Sequence, residues 1–254
     1  MYPAKHFIIG ANRLTHHCKI ELPLINLIEQ NPLATLIVQQ TLSTEVVKST
    51  VTNALTNKPL HISHIPCHFK QIKDQEDHQK NKQLITHVSN QHPLAKMLMA
   101  NRDSKQNDID NICVNLVFHG EQGYISPNDL TAQNREDHKV PTWNYCKVQL
   151  TAVATEVADE AQKYHLMSQT SQYFERNSDN PWLITDVPVS AIKQMLKAIT
   201  FIELTITMIE GNFKLSQNKP NVITKQLAQQ LIVKNNAPLA KQMLMQISNN
   251  ELKK

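Results

Sequence analysis

Phe201-Ile202-Glu203-Leu204-Thr205-Ile206-Thr207-Met208-Ile209 is the stretch whose reading decides the fold. Ile202, Leu204, Ile206 and Met208 alternate with Glu203, Thr205 and Thr207. A period of two is that of a strand with one face buried and the other polar. The strand runs on into Ile209-Glu210-Gly211-Asn212-Phe213-Lys214-Leu215-Ser216-Gln217-Asn218. If that end is also extended, Lys214, Ser216 and Asn218 share one face. A cation, a hydroxyl and an amide there suit a phosphate or the polar edge of a planar ring. A solvated edge strand accounts for the same residues, so this segment alone leaves both readings open.

Working outward, more strands come into view. Leu33 to Val38, Leu60 to Phe69 and Leu84 to Ser89 are short apolar runs bounded by Pro, Asn and charged residues. Ile112 to His119 is followed by Gly120-Glu121-Gln122-Gly123 and Tyr124-Ile125-Ser126, which reads as a hairpin. Asn144 to Val157 alternates Cys146, Val148, Leu150, Ala152 and Ala154 with polar residues. Helices are expected at Pro23 to Gln30, Pro93 to Ala100, Asp159 to Phe174, Val189 to Ile199, Val222 to Val233 and Pro238 to Ile247. Val46 to Leu55 is ambiguous, and Lys70 to Lys82, Asn101 to Asp110 and Asp129 to Lys139 read as polar loops. The class is mainly β with helices (α+β). The expected organisation is a single domain over 1–254, with a helical insertion at about 156–200 and a C-terminal helical hairpin at 222–248. Strands joined by short turns favour an antiparallel sheet or barrel. No βαβ alternation and no GxGxxG occur, which argues against a Rossmann domain.

The totals are those of an ordinary globular chain of 254 residues, 41% hydrophobic and 19% charged. No apolar run approaches the roughly 20 residues of a membrane span. Nor does the N-terminus carry a signal core, so the expected compartment is the cytoplasm. Cys18, Cys67, Cys113 and Cys146 lack CxxC spacing, and buried free thiols are expected of them. The charge is unevenly placed. From Gly211 to the end there are 7 lysines and 1 acid, or +6, against 19 bases and 21 acids, or −2, before it. A basic tail on a near-neutral body points to an anionic partner or to a solvated helix face.

Among the motifs, Val140-Pro141-Thr142-Trp143-Asn144-Tyr145 gathers two aromatics between small polar residues. Its rings suit stacking on a planar ligand, or an interface. Three of only four glycines (Gly120, Gly123, Gly211) lie in or beside these segments, where a turn or a close approach is expected. In Ser63-His64-Ile65-Pro66-Cys67-His68 the two histidines share a strand face, yet four residues of strand span about 13 Å, too far for one zinc ion. P-loop, HExxH and nucleophile-elbow motifs are absent, which disfavours the common NTPases and hydrolases. The two C-terminal helices offer few base-reading side chains for a helix-turn-helix, so a packed helical hairpin is expected.

Taken in order, these blocks resemble a known family. They are Met1-Tyr2 with His6-Phe7, Pro32 to Leu36 (PLATL), Ser63-His64-Ile65-Pro66, His87 with Pro93, Phe118 to Pro127 (FHGEQGYISP), Val140 to Tyr145 (VPTWNY), Pro181-Trp182, Met195 to Ile199 and Ile209 to Asn218. The chain resembles the PaiB-type FMN-binding negative transcriptional regulators, a branch of the FMN-binding split-barrel superfamily. The resemblance implies a split β-barrel homodimer holding FMN at the dimer interface, and a regulatory role; DNA stays open as a partner, with no clear DNA-binding motif in the sequence. By position it implies ligand contacts from His64, His87, Ser126, Trp143, Asn144, Lys214, Ser216, Gln217 and Asn218, with Ala34 and Thr35 as further candidates. A flavin-dependent oxidoreductase acting on a small molecule is the alternative, and a degenerate barrel without flavin the third reading. The chain departs from the family pattern at Asn128-Asp129-Leu130, where an aromatic pair is usual, and at Asn90 and His92, where a basic residue and an asparagine are usual. One charge-assisted contact to phosphate contributes about 1.5–3 kcal/mol.

Overall fold

The computed structural model describes residues 5–9, 22–39, 60–70, 83–103, 112–135 and 140–251, with side chains described except at 5–9 and 249–251. Met1-Tyr2, Cys18, the ambiguous 46–55 stretch, most of the 70–82 and 101–110 loops, and residues 136–139 lie outside them. The strands are β1 (Lys5–Ile9), β2 (Leu33–Gln39), β3 (Leu60–Pro66), β4 (His68–Phe69), β5 (Gln83–Ser89), β6 (Ile112–Ile125), β7 (Thr142–Glu156) and β8 (Ile199–Lys214). The helices are α1 (Leu22–Gln30), α2 (Pro93–Asp103), α3 (Glu160–Glu175), α4 (Val189–Lys197), α5 (Asn221–Val233) and α6 (Ala237–Glu251). This is an α+β fold, and each helix starts within three residues of its expected position. Proline stands at the N-cap of α4 and of α5, and Asp159 caps α3 by accepting from the Gln162 N–H.

The strands follow the order β3-β2-β6-β7-β8-β5-β4, with β1 also paired to β8. The pairings β2–β3, β2–β6, β4–β5 and β5–β8 are antiparallel. The two ends of this path, β3 and β4, are successive pieces of one segment that breaks at Cys67. The ladder therefore returns to the segment it started from, and the strands close into a barrel.

The described residues pack as two compact units. The larger comprises Ile9–Phe118 and Gln149–Ile209. Its interior follows the strand period: Ala34, Leu36 and Val38 on β2, Val114, Leu116 and Phe118 on β6, Leu150 and Ala152 on β7, and Ile202 and Leu204 on β8 are buried. On the other face of β5 and β8, Ile85 and Phe201 pack with Leu166, Ile184, Ile192 and Leu196 from the α3–α4 region. The smaller unit comprises Met1–Ile8, His119–Val148 and Glu210–Lys254, and contains the ends of β6, β7 and β8 with α5 and α6.

Three sequence expectations fail for identifiable reasons. The hairpin expected at Gly120–Gly123 is absent, because β6 runs straight through it. Gly123 has no positive φ; a Cβ there would lie 2.8 Å from both Asn236 Nδ2 and Leu239 Cδ2. Glycine fits the close approach of the Asn236 and Leu239 side chains, not a turn. The single strand expected over Leu60–Phe69 is divided at Cys67, so His68 is fully buried while His64 is exposed. Of the thiols, Cys67 and Cys146 are buried as expected, but Cys113 is exposed because alternation turns it outward between Ile112 and Val114.

Candidate functional site

Within the smaller unit the two sequence motifs do come together. Asn144, fully buried on β7, donates from Nδ2 to Ser216 Oγ at 2.9 Å, and Ser216 Oγ donates back to Asn144 Oδ1 at 3.2 Å. Asn144 Nδ2 also reaches Met243 Sδ of α6 at 3.4 Å. Lys214 Nζ, half-buried, donates to Thr142 Oγ1 at 2.5 Å.

The extended reading of Lys214–Asn218 is overturned. β8 ends at Lys214, and Ser216 takes a left-handed φ of 59° in the turn that follows. Gln217 closes that turn: its Oε1 accepts from the Leu215 N–H at 2.6 Å and its Nε2 donates to the Phe213 carbonyl at 2.6 Å. Thr224 Oγ1 on α5 donates to the Ser216 carbonyl at 3.2 Å. Asn144, Ser216 and Gln217 thus hold one another and the turn into α5 in place. Ser126 does similar work, accepting the Asn128 N–H in a capping box closed by Asp129. Of the polar candidates in these motifs, Lys214 and Thr142 are half-buried and Asn218 is exposed, while Trp143 is exposed beside them.

Trp143 does not share a face with Lys214. Thr142 and Asn144 point to the side of β7 that carries Lys214 and Ser216, so Trp143 between them points the other way. There it is 53% exposed, its ring 6.1 Å from Tyr124, in T-shaped contact.

In the larger unit Thr35 and His64 are direct cross-strand partners on the outer face of β2 and β3. Ala34 is fully buried in the interior and presents no side chain outward. His87 is half-buried on β5, its ring 5.2 Å from that of Phe201, and its Nδ1 is buried with no hydrogen-bond partner. Burial holds its pKa below the usual histidine value.

Asn90 and His92, two of the departures from the family pattern, have structural tasks. Asn90 Nδ2 donates to the Lys197 carbonyl at 2.7 Å and its Oδ1 accepts from Thr200 Oγ1 at 2.9 Å, tying the end of α4 to β8. His92 Nδ1 accepts the Leu94 N–H at 3.1 Å at the start of α2. The ring proton is therefore on Nε2, which donates to Ser63 Oγ at 2.9 Å. This tautomer cannot serve Ser63 as a general base. His61 lies edge-on to His92 at 4.8 Å, and burial followed by the His61 charge lowers the His92 pKa. His68 is a satisfied core histidine: Nδ1 donates to the Phe69 carbonyl at 3.0 Å, and Nε2 accepts from Thr170 Oγ1 at 2.9 Å. Sequence reading missed Thr142, Tyr124 and the His61–Ser63–His92 cluster. Thr142 was findable, standing one period of two before Asn144; the cluster was not, because it depends on α2 meeting β3.

With this geometry described, comparison with known proteins places the chain. A family model described as "Putative FMN-binding domain" matches residues 14–208, more than half of the sequence.

The chain belongs to this FMN-binding-domain family.

It is similar to an uncharacterized protein of Emericella nidulans, at 28% identity over 61% of this chain and 68% of that protein. It is also similar to the protease synthase and sporulation protein PAI 2 of Bacillus subtilis, at 30% identity over 55% of this chain and 63% of that one. The latter similarity thus spans less than two thirds of the relative's length. Among solved structures, the flavocytochrome Anf3 of Azotobacter vinelandii aligns with a TM-score of 0.47 and 14% identity, over 80% of this chain and 75% of that one. Lys214 and Ser216 stand beyond the residues matched by the family model; His64, His87, Ser126, Trp143 and Asn144 stand within them.

The residues present fit an anionic, planar cofactor in part. Lys214 is a half-buried ammonium whose partner is a neutral hydroxyl, and no carboxylate among the described residues pairs with it. The orphaned Nδ1 of His87 is a buried polar atom of the kind a ligand group satisfies. No helix among the described residues is long and apolar enough to cross a membrane.

Proposed function

We propose that this protein binds FMN and acts as a cytoplasmic, homodimeric negative regulator of transcription of the PaiB type. Family membership supports the cofactor; the regulatory role rests on the resemblance of the sequence motifs to the PaiB-type regulators. One observation carries the reading at the level of residues: the Lys214 ammonium, paired among the described residues with the neutral Thr142 Oγ1, has capacity for a phosphate. Lys214 and Thr142 are assigned to the phosphate, with the exposed Asn218 at its edge. Thr35, His64 and His87, on the larger unit, are ligand candidates in their own right, by the resemblance and, for His87, by its orphaned nitrogen.

When bound, FMN supplies one- or two-electron transfer. The chain's own residues hold and orient it. Asn144, Ser216 and Gln217 act one step removed, by fixing the turn that presents Lys214. The exposed Leu33, Leu60 and Ile62 on the outer face of β2 and β3 support a homodimer, since apolar surface gathered on one sheet face is commonly covered by a partner.

The test is direct. Purified protein titrated with FMN is expected to quench flavin fluorescence saturably and to show a flavin absorption band after desalting. Absence of both over a range extending to about millimolar FMN overturns the flavin reading. Sequence-specific, salt-sensitive binding to the protein's own promoter region is expected of the regulator. Binding no better than to competitor DNA overturns that part alone.

A further inference from the structure

Within the larger unit, three side chains fasten β3 to the start of α2. His61 and Ser63 stand two apart on β3, on the side of the buried Ile65, while Leu60, Ile62 and His64 take the other side. His92 stands immediately before α2 and caps it: Nδ1 accepts the Leu94 N–H at 3.1 Å, and Nε2 donates to Ser63 Oγ at 2.9 Å. The His61 ring lies edge-on to His92, centroids 4.8 Å apart, and His61 Nε2 is buried with no hydrogen-bond partner.

The cap needs a lone pair on His92 Nδ1. An imidazolium has none, so protonation turns the acceptor into a second donor aimed at the Leu94 N–H. The surroundings resist that charge from every side described. His61 faces the ring from β3 and is itself a base. The N-terminal end of α2 is the positive end of its dipole, and the first charge along that helix is Lys96. From α4 the charged residue nearby is Lys197, whose carbonyl holds Asn90. The titratable group of β5, His87, lies against Phe201, and β2 offers only Leu36 and Val38 opposite Ser63 and His61. No carboxylate among the described residues pairs with His92, and burial followed by the His61 charge lowers its pKa. Parting the contact also lets water reach the unpartnered His61 Nε2, which favours the open form.

We propose that the His61–Ser63–His92 contact is a pH-sensitive latch: neutral His92 fastens the first turn of α2 to β3, and protonation releases that turn while Ala95 and Leu98 keep the helix on the core. The latch lies behind the strand face that carries Leu60, Ile62 and His64, and it requires neither flavin nor a second copy of the chain.

The experiment is hydrogen–deuterium exchange of the full chain, read by mass spectrometry on the peptide spanning 90–98 and corrected for the intrinsic pH dependence of exchange. Between pH 7.5 and pH 5.5 its protection is expected to fall by about 3- to 10-fold, up to the factor for one histidine that protonates near 6.5 only when the latch is open. Urea well below the unfolding transition is expected to leave this exchange unchanged, since a local opening exposes little surface. His92→Asn supplies a cap whose acceptor does not titrate, and is expected to hold the same protection at both pH values. Ser63→Ala keeps the cap but loses the tie to β3, and is expected to lower protection of the 90–98 peptide already at pH 7.5. Nitrogen-15 shifts of the His92 ring at pH 7.5 are expected to place its proton on Nε2. The proposal is overturned by a fall of less than about twofold in the parent or by an equal fall in His92→Asn. It is also overturned by a urea dependence equal to that of global unfolding, by Ser63→Ala exchanging as the parent does, or by a ring proton found on Nδ1.

Discussion

Ser216→Ala tests whether the motif residues nearest Lys214 are structural or ligand-binding. In the parent, the buried Asn144 amide and the Ser216 hydroxyl bond each other twice, at 2.9 and 3.2 Å, and Asn144 otherwise meets only Met243 Sδ. Removing the hydroxyl leaves the amide, at 0% exposure, with a single weak acceptor. An unsatisfied buried polar group costs about 1–3 kcal/mol. The left-handed φ of 59° adds nothing to the difference, since serine and alanine are strained alike there. The expected destabilisation is therefore about 2 kcal/mol. Asn144→Ala removes the same bonds and leaves a void, so its cost is expected to be similar or larger. The double variant is expected to fall short of the sum by at least about 0.5 kcal/mol, the signature of groups that contact directly. Urea unfolding followed by tryptophan fluorescence gives the stabilities, and flavin fluorescence gives the FMN affinity of each variant under conditions where it is folded. Unchanged stability together with a clear loss of FMN affinity in Ser216→Ala would refute the reasoning, because the hydroxyl would then serve the ligand and not Asn144.

Other outcomes follow from the same structure. Gly123→Ala is expected to cost about 1–3 kcal/mol by overpacking, because its Cβ meets the buried Leu239 and the Asn236 amide that donates to the Gln122 carbonyl; thermal melting checks this, and a neutral result would mean that α6 shifts freely. Among Cys67, Cys113 and Cys146, iodoacetamide under native conditions near pH 8 is expected to label Cys113 alone, since burial pushes the other two thiols up to about 12; peptide mapping by mass spectrometry locates the label. Stability is expected to fall as pH drops below about 6.5. His68, His87 and His92 have folded pKa values held below the unfolded one, so the unfolded chain takes up protons first, and the contribution present above that pH is lost on acidification. His92→Gln is expected to flatten part of this slope in urea titrations at pH 7 and pH 5; an unchanged slope would remove His92 from the account.

Much of the fold was legible because the strand period is local information. Ile202, Leu204 and Ile206 marked β8, and Cys146 to Ala154 marked β7, without reference to any partner. What failed depended on neighbours distant in sequence. Gly123 looked like a turn because glycine often is one; only the arrival of Asn236 and Leu239 shows that it is a contact. The candidate site divided in the same way. That Lys214 and the Val140–Tyr145 motif belong together was readable from their order and the family resemblance, not from residue types alone, and Lys214 does meet Thr142. Which of the polar residues face outward was not readable, since Asn144, Ser216, Gln217 and Ser126 are consumed by partners that only folding supplies. Likewise Asn90 and His92 looked like losses from a ligand site, and are in place as caps for α4 and α2.

The central claim is that Lys214 supplies the charge for the phosphate of FMN. The measurement that tests it most directly is the affinity of the parent and of Lys214→Ala for FMN and for riboflavin, which lacks the phosphate, by flavin fluorescence at low salt. The parent is expected to prefer FMN by about 10- to 100-fold, the worth of one charge-assisted contact, and Lys214→Ala is expected to bind the two almost equally. A preference for FMN that survives intact in Lys214→Ala would contradict the account.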